Sequence, residues 1–399
     1  MLDKICIIGG AGRVGLPLSL MLAKHGHDVM ICDINEKTLE TISSGKMPFY
    51  EEGAQDLLNE VNGKNLHLTS SFSELKNYNT IIVCIGTPVD EHLNPTYHKI
   101  KNFFKSILAH LKKDHIIVLR STVYPETTNK IYNYLKSQIP GVEVCFCPER
   151  IAEGQSLKEL RTLPQVVSGF SSTAINRVSE IFKTLTPKIL KTTPLEAELM
   201  KLFTNSWRYI QFATANQFFM IAESAGANYK KIFEAMKYEY PRTKNFSSPG
   251  FAAGPCLLKD TMQLAAYAKR TFFLGHSSMI INEGLPDYIV EQAKKKLALH
   301  KSVSGILGMG FKANSDDPRD SLSYKLKKIL EIESKTVLCS DEYIKDERFI
   351  TPNELIEKSD IIFIAASHKL YSKLDFKSKH VINIWKDMGV NINENTSYR

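Results

Sequence analysis

The sequence predicts an α/β protein: two Rossmann-like doubly wound domains joined by a long central helix and a small all-helical middle domain. Three observations carry the prediction. Short apolar runs alternate with helical stretches from Lys4 to about Lys188, the pattern of parallel strands covered on both faces. The stretch from Thr193 to Ala225 contains no helix breaker after its opening proline. The strand pattern then restarts at Val303. The expected boundaries are 1–190, 191–298 and 299–399.

The first strands are expected at Ile5–Ile8, Val29–Cys32, Ile81–Ile85, Ile116–Leu119, Val142–Phe146 and Val166–Val167. Between the first two lies Gly10-Ala11-Gly12-Arg13-Val14-Gly15, leading into a helical Leu16–His25. A lone GxGxxG is weak, but here a strand precedes it, a helix follows and the second strand ends in Asp33. The glycines permit a tight turn and close approach of a pyrophosphate. Asp33 would accept hydrogen bonds from the adenosine ribose hydroxyls and repel a 2′-phosphate, so NAD is the expected cofactor.

Two more strand ends carry polar residues, Ile85-Gly86-Thr87-Pro88 and Arg120-Ser121-Thr122-Val123. Ligands of open α/β sheets bind at such ends, so Thr87 and Thr122 are either ligand contacts or local turn formers. After the next strand comes Cys147-Pro148-Glu149-Arg150-Ile151-Ala152-Glu153-Gly154. Glu149 and Glu153, four apart on an expected short helical turn, would point the same way and hold a water, or would mark a solvated helix start.

Thr193-Pro194-Leu195-Glu196 is a capping box with proline at the first helical position, and Gly226 is a plausible residue just past the end. The helix between is rich in Leu199, Leu202, Phe203, Ile210, Phe218, Phe219 and Ile221. A helix apolar over so much of its circumference is expected to be buried, between domains and subunits, with one face against a second subunit. Glu198, Lys201 and Asn205 fall on one face, either an outward stripe or a buried lysine with a task. A shorter helix, Tyr229–Met236, leads to Tyr240-Pro241-Arg242.

The loop Ser247-Ser248-Pro249-Gly250-Phe251-Ala252-Ala253-Gly254-Pro255-Cys256 then enters a helix through Leu257-Leu258-Lys259-Asp260. Six of the seven cysteines sit in or beside strand-like runs, where a cysteine is a small core residue; Cys256 alone sits in turn chemistry. A thiol at a helix entrance near Lys259 can be activated, or it is an inert loop residue.

In the last domain the expected strands are Thr336–Cys339, Ile361–Ala365 and Val381–Ile384, with a helix from about Leu322 to Glu331. Lys312 and Arg319 stand in the strand-to-helix turn, where they suit a diphosphate or are ordinary surface cations.

Composition narrows the classes. A chain of 399 residues has room for two or three cores. The net charge of +8 is spread along the chain, with no basic stripe or nucleic-acid motif. Eleven histidines show no HExxH or other metal spacing, so no metal is expected. With no signal segment, no run long enough to cross a bilayer and no cysteine framework, a reducing cytoplasm is expected.

Taken in order, these motifs resemble the nucleotide-sugar 6-dehydrogenases, which oxidise UDP-glucose, UDP-N-acetylhexosamines or GDP-mannose to uronic acids. The resemblance rests on Gly10–Gly15 with Asp33, Cys84–Pro88, Ser121–Val123, Pro148-Glu149, Lys201 with Asn205, Cys256 with Lys259-Asp260, and Phe311-Lys312 through Asp317–Ser321. It covers essentially the whole chain. It implies an NAD-binding first domain, a central helical domain for dimerisation and catalysis, and a last domain binding the nucleotide of a UDP-sugar. It implies that Cys256 is the nucleophile of a four-electron oxidation through a thiohemiacetal and a thioester, feeding surface polysaccharide synthesis. Lys201, Asn205 and Asp260 would handle the proton and the attacking water, helped by Glu149, Glu153 and Thr122. Gly10, Gly12, Arg13, Val14, Gly15, Asp33, Thr87, Pro88, Thr122 and Arg319 would meet NAD. Glu149, Arg150, Lys201, Asn205, Gly254 and Lys312 would meet the substrate, with Arg242 serving the neighbouring subunit of a homodimer. The sequence departs from the family pattern at Phe251-Ala252-Ala253, where more glycine is usual, and at Glu52-Gly53, where Pro-Gly is common. Arg150 resembles the N-acetylhexosamine members. The rival class is a two-electron 3-hydroxyacid-type dehydrogenase, which has no use for Cys256 or for a third domain.

Overall fold

Along strand β1 (Lys4–Ile8), Ile5 and Ile7 join one apolar layer while Cys6 and Ile8 join the other. The same alternation runs through every central strand, because successive side chains of a strand point to opposite faces. A sheet apolar on both faces must be covered twice, and helices do so here. The computed structural model describes residues 3–87, 89–90, 96–252, 254–269 and 271–385. The chain divides into two units, Met1–Thr204 and Asn205–Arg399.

In the first unit β1 is followed by α1 (Gly15–Lys24), β2 (Asp28–Cys32), α2 (Glu36–Ser43), α3 (Ala54–Val61), β3 (Leu66–Thr69), β4 (Thr80–Val83), α4 (Tyr97–Ile107), β5 (Ile116–Leu119), α5 (Thr127–Gln138), β6 (Glu143–Phe146), α6 (Ser156–Thr162), β7 (Gln165–Gly169), α7 (Ser172–Lys183) and β8 (Ile189–Thr192). The strands form one sheet in the order β3-β2-β1-β4-β5-β6-β7-β8. The reversal of strand order beside β1 places the carboxyl ends of β1 and β4 at a crevice, where ligands of such sheets bind. All pairs are parallel except β6 with β7, which run antiparallel. The expectation of a uniformly parallel sheet therefore fails at that pair. Strands β3 and β8 were not expected, because each is short and half polar (Leu-His-Leu-Thr and Ile-Leu-Lys-Thr).

Helix α8 (Pro194–Ser224) has the expected bounds to within a residue at each end. Its capping box forms: Thr193 N–H donates to Glu196 at 2.9 Å and Glu196 N–H to Thr193 Oγ1 at 3.4 Å. Gly226 takes φ +69°, the left-handed turn that ends the helix. The helix is buried along only part of its circumference on the single chain. Ala197, Leu202, Tyr209, Ala213, Asn216 and Phe219 are buried, but Phe203, Trp207, Phe218 and Ile221 are exposed on the single chain.

The second unit contains α9 (Tyr229–Lys237), α10 (Leu257–Tyr267), α11 (Phe273–Lys294), β9 (Val303–Leu307), α12 (Leu322–Glu333), β10 (Thr336–Ser340), α13 (Pro352–Lys358), β11 (Ile361–Ile364) and β12 (His380–Asn383). Its sheet has the order β10-β9-β11-β12, all parallel. One face buries Ile306, Phe363 and Ile382, and the other Leu307, Ile362 and Val381. No helix among the described residues is long and apolar enough to cross a membrane.

Candidate active site

The glycine-rich turn between β1 and α1 is built by close packing. A Cβ on Gly15 would lie 2.4 Å from Gly9 O, and one on Gly10 would lie 2.6 Å from Ile7 O, so neither position tolerates a side chain. Gly12 differs: a Cβ there would meet only Gly9 O, at 3.4 Å, and the residue is otherwise open. Asp33, directly after β2, accepts from Ala11 N–H through Oδ2 at 3.1 Å and from Asn35 N–H through Oδ1 at 3.0 Å. These bonds aim a half-buried carboxylate at the glycine turn. The cradle fits a dinucleotide: the pyrophosphate would lie along the open side of Gly12 at the start of α1, and the ribose hydroxyls would reach Asp33. Arg13 stacks over the Phe49 ring at 5.0 Å, and Val14 immediately precedes the helix.

The next strand ends bring Thr87 and Thr122 together, with Thr87 Oγ1 donating to Thr122 O at 2.5 Å. Pro88 lies outside the described residues. Glu149 and Glu153 do not share a helical turn, and that expectation is corrected: residues 147–152 are irregular, and Glu153 begins a separate turn. The physical reason is Arg120. Its guanidinium is fully buried and holds Glu149 Oε2 at 2.9 Å from Nε and 2.5 Å from Nη2. It also donates to Cys147 O at 3.1 Å and Gln165 Oε1 at 3.0 Å, and lies 4.8 Å from the centre of the Phe182 ring. Glu149 Oε1 meanwhile accepts from Arg150 and Ile151 N–H. A buried arginine demands such an acceptor, and meeting it holds the segment after β6 out of helix. Arg150 donates to Pro164 O at 2.5 Å.

Sequence reasoning missed the role of Arg120. The signal was there: a charged residue directly after the all-apolar Ile116–Leu119, with an acid after the neighbouring strand.

Of the three polar residues expected on one face of α8, Glu198 has a separate duty. Its buried carboxylate accepts from Glu126 N–H at 2.6 Å and from Thr128 N–H and Oγ1 at 2.8 and 2.6 Å. It thus satisfies the open amino end of α5, whose capping residue Glu126 sits at φ +70°. Lys201 is half-buried one turn further on.

Asn205 is buried and donates to Asp260 Oδ2 at 2.6 Å. Asp260 sits in the first turn of α10, and its Oδ1 lies 2.8 Å from Lys259 Nζ. Cys256 is the residue at the entrance of that helix. It is exposed, Cys84 is half-buried and the other five cysteines are buried. Burial pushes the thiols of Cys84 and Cys147 up to about 12 and that of Cys339 up to about 11, which leaves them poor nucleophiles.

The loop before Cys256 is anchored. Asn216 donates to Gly250 O at 3.1 Å, accepts from Gly250 N–H at 2.8 Å, and donates to Asn282 at 2.9 Å. Phe251 and Ala252 are buried and bolt the loop to apolar clusters. Ala253 lies outside the described residues. Gly254 takes φ +98°, and a Cβ there would meet the Phe311 ring at 2.4 Å. Arg242 is exposed in a short turn, with Nη1 3.0 Å from Tyr240 Oη. With Trp207, Gln211 and Phe246 it lines a cleft of about 390 Å³.

In the turn after β9, Lys312 lies 5.4 Å from the centre of the Phe311 ring. Arg319 is partly committed: Nη2 and Nε donate to the buried carboxylate of Asp317 at 2.6 and 2.9 Å.

Residues 3–186 match the NAD binding domain of the UDP-glucose/GDP-mannose dehydrogenase family, 195–282 its central domain, and 305–386 its UDP binding domain. The chain is 32% identical to a UDP-N-acetyl-D-mannosamine dehydrogenase of Methanocaldococcus jannaschii, over 93% of this chain and 87% of that one. It is 30% identical to a protein of the same name from Methanococcus maripaludis, over 98% and 96%. A solved UDP-D-ManNAc dehydrogenase from Pyrococcus horikoshii superposes with a TM-score of 0.89 at 26% identity, covering 96% of this chain and 95% of that one.

Proposed function

The chain belongs to the UDP-glucose/GDP-mannose dehydrogenase family, and from that membership we propose that it oxidises the C6 hydroxyl of a UDP-N-acetylhexosamine to the uronic acid. NAD is its cofactor and a UDP-sugar its substrate. The relatives named UDP-N-acetyl-D-mannosamine dehydrogenase favour an N-acetylated sugar over glucose.

The observation that carries the mechanism is the exposed Cys256 at the mouth of α10, one turn before an Asp260 already held by Asn205 and Lys259. Oxidation of an alcohol to an acid removes two hydrides, and the nicotinamide, when bound, accepts one at each oxidation. Lys201 stabilises the alkoxide formed as the hydroxyl loses its proton. The resulting aldehyde has no hydride to give until a nucleophile adds. Cys256 Sγ, as thiolate, adds to C6, forming a C–S bond as the C=O π bond opens onto oxygen, which takes a proton to give a thiohemiacetal. Loss of the second hydride leaves a thioester. Water, placed by Asn205 and Asp260, then breaks the C–S bond, giving the carboxylate and restoring the thiolate.

Asp33 and the open face of Gly12 hold the dinucleotide, with Thr87 and Thr122 at the neighbouring strand ends. Lys312 takes the substrate diphosphate. We assign Glu149 to positioning rather than to water, since its oxygens are occupied by Arg120 and backbone N–H groups. Arg319, whose Nε and Nη2 donate to Asp317, would serve NAD. The exposed Phe203, Trp207, Phe218 and Ile221 suit a homodimer, in which Arg242 would serve the partner's substrate. The reaction suits the cytoplasm, where cysteines stay reduced, and its product suits polysaccharide assembly.

Cys256→Ala tests the reading. It should bind NAD and the UDP-sugar but form no uronic acid, while the unaltered enzyme forms two NADH per sugar. Normal acid formation by the alanine variant would sink the mechanism, and one NADH per sugar in the unaltered enzyme would point to a two-electron dehydrogenase.

A further inference from the structure

The segment from Met309 to Asn314 carries Lys312 and contains no regular structure. One buried pair outside the turn grips it on both sides. Asp341, directly after β10, accepts through Oδ2 from Met309 N–H at 2.7 Å and from Gly310 N–H at 3.0 Å. The same oxygen lies 3.0 Å from His368 Nε2. His368 follows β11, and its Nδ1 accepts from Asn314 N–H at 2.8 Å. Because Nδ1 receives a proton donor, it must be the bare nitrogen; Nε2 then carries the hydrogen and donates to Asp341. Both side chains are fully buried. The imidazole lies between the rings of Tyr343 and Tyr371, at 4.9 and 5.1 Å.

We propose that Asp341 and His368 are positioning residues for substrate binding: together they pin the backbone before and after Phe311-Lys312, so that the Lys312 ammonium is held ready for a diphosphate. The inference rests on the reading that Lys312 meets the UDP diphosphate. A flexible lysine on an irregular loop loses side-chain and backbone freedom on binding. The pair removes the backbone part of that loss in advance. Asn314 supports the same geometry: it sits at φ +53°, and its Oδ1 accepts from Lys369 N–H at 3.1 Å and from Tyr343 Oη at 3.3 Å. Asp341, Glu342 and His368 also group as a cation site would. That use is disfavoured, because both imidazole nitrogens and Asp341 Oδ2 are already engaged.

The test is calorimetric titration of the full chain with UDP, and separately with NAD as a control. Removing the grip in His368→Ala should weaken UDP binding about tenfold, as should Lys312→Ala, while NAD affinity stays within about twofold. The double variant should bind UDP no worse than Lys312→Ala to within about twofold, because a pair that works through Lys312 has nothing left to position. His368→Gln, which can keep a donor for Asp341 but not the ring acceptor for Asn314, provides the same readout if the alanine variant does not fold. Unchanged UDP affinity in a folded His368 variant would overturn the proposal. So would losses that simply multiply in the double variant. Failure of the unaltered protein to bind UDP would instead overturn the functional reading.

Discussion

At the end of β1, Gly9 turns at φ +73° and its N–H reaches Cys32 O at 2.9 Å; at the end of β9, Gly308 turns at φ +89° and its N–H reaches Ser340 O at 2.9 Å. Asp33 then accepts from Ala11 and Asn35, and Asp341 from Gly310 and Tyr343, each through Oδ2 and Oδ1 in turn. The two units thus repeat one backbone device, a glycine turn on the first strand gripped by an acid that follows the second. What differs is what reaches the acid next. Asp33 is half-buried, and α1 starts close by at Gly15. Asp341 is sealed under His368, and the irregular stretch 311–321 precedes α12. The same trap holds a loop when closed, and when left open its acid stays within reach of a ligand. A domain of this fold therefore cannot be assigned a dinucleotide from its glycines and acid alone.

The largest expected effect comes from removing the sealed acid. Asp341→Ala leaves five donors, those of Met309, Gly310 and His368 in buried residues, without their acceptor, and a loss of about 3–5 kcal/mol in urea unfolding is expected. Asp33→Ala in the same assay should cost no more than about 1 kcal/mol, since Asp33 is half-buried, holds two donors rather than five, and one of them, on Asn35, is exposed. Equal losses would break the comparison.

The converse test is selectivity. Asp33→Ala should lower kcat/KM for NAD by about 10–100-fold through the lost charged hydrogen bonds, and should narrow the preference over NADP. Unchanged NAD kinetics would mean that Asp33, too, is structural.

Within the first turn, Gly12→Ala should leave unfolding within about 0.5 kcal/mol, yet weaken NAD binding about tenfold by filling the open face. Gly15→Ala, whose Cβ would strike Gly9 O at 2.4 Å, should instead lower stability. Titrating NAD against both variants separates the two roles.

The smallest effect concerns pH. Burial pushes the Asp341 carboxyl up, but the hydrogen bonds from His368, Tyr343 and Gly310 outweigh it and hold the group below its usual 3.8. A carboxyl with a lowered pKa adds stability that is fully present above the unfolded value and is lost as pH falls through the folded one. Asp341→Asn should therefore flatten the acid limb of a stability-versus-pH curve, and an unaltered limb would count against the assignment.

Much of the fold was readable, because continuous apolar strands and an uninterrupted helix leave few alternatives. The strands that escaped, β3 and β8, are short and half polar, so local pattern could not separate them from loops. The places of Asp33 and Cys256 were readable because each stands at a landmark, a strand end or a helix mouth. The helical turn expected at Glu149 failed because the local conformation depends on Arg120, two strand ends brought together only by the sheet. The Asp341–His368 pair was unreadable for the same reason: nothing in Ser340-Asp341 or Ser367-His368 announces that they meet.

The cap that Glu198 provides for α5 has a consequence for the order of synthesis. Partners 70 and 72 residues apart in the chain close one helix end. As the chain emerges from the ribosome, β5 and α5 are complete long before their cap exists. The amino end of α5 must wait with open N–H groups until the first two turns of α8 arrive. Any expressed fragment meant to hold the first sheet must extend past Glu198, and one ending at β8 should fray at Glu126–Thr128 first.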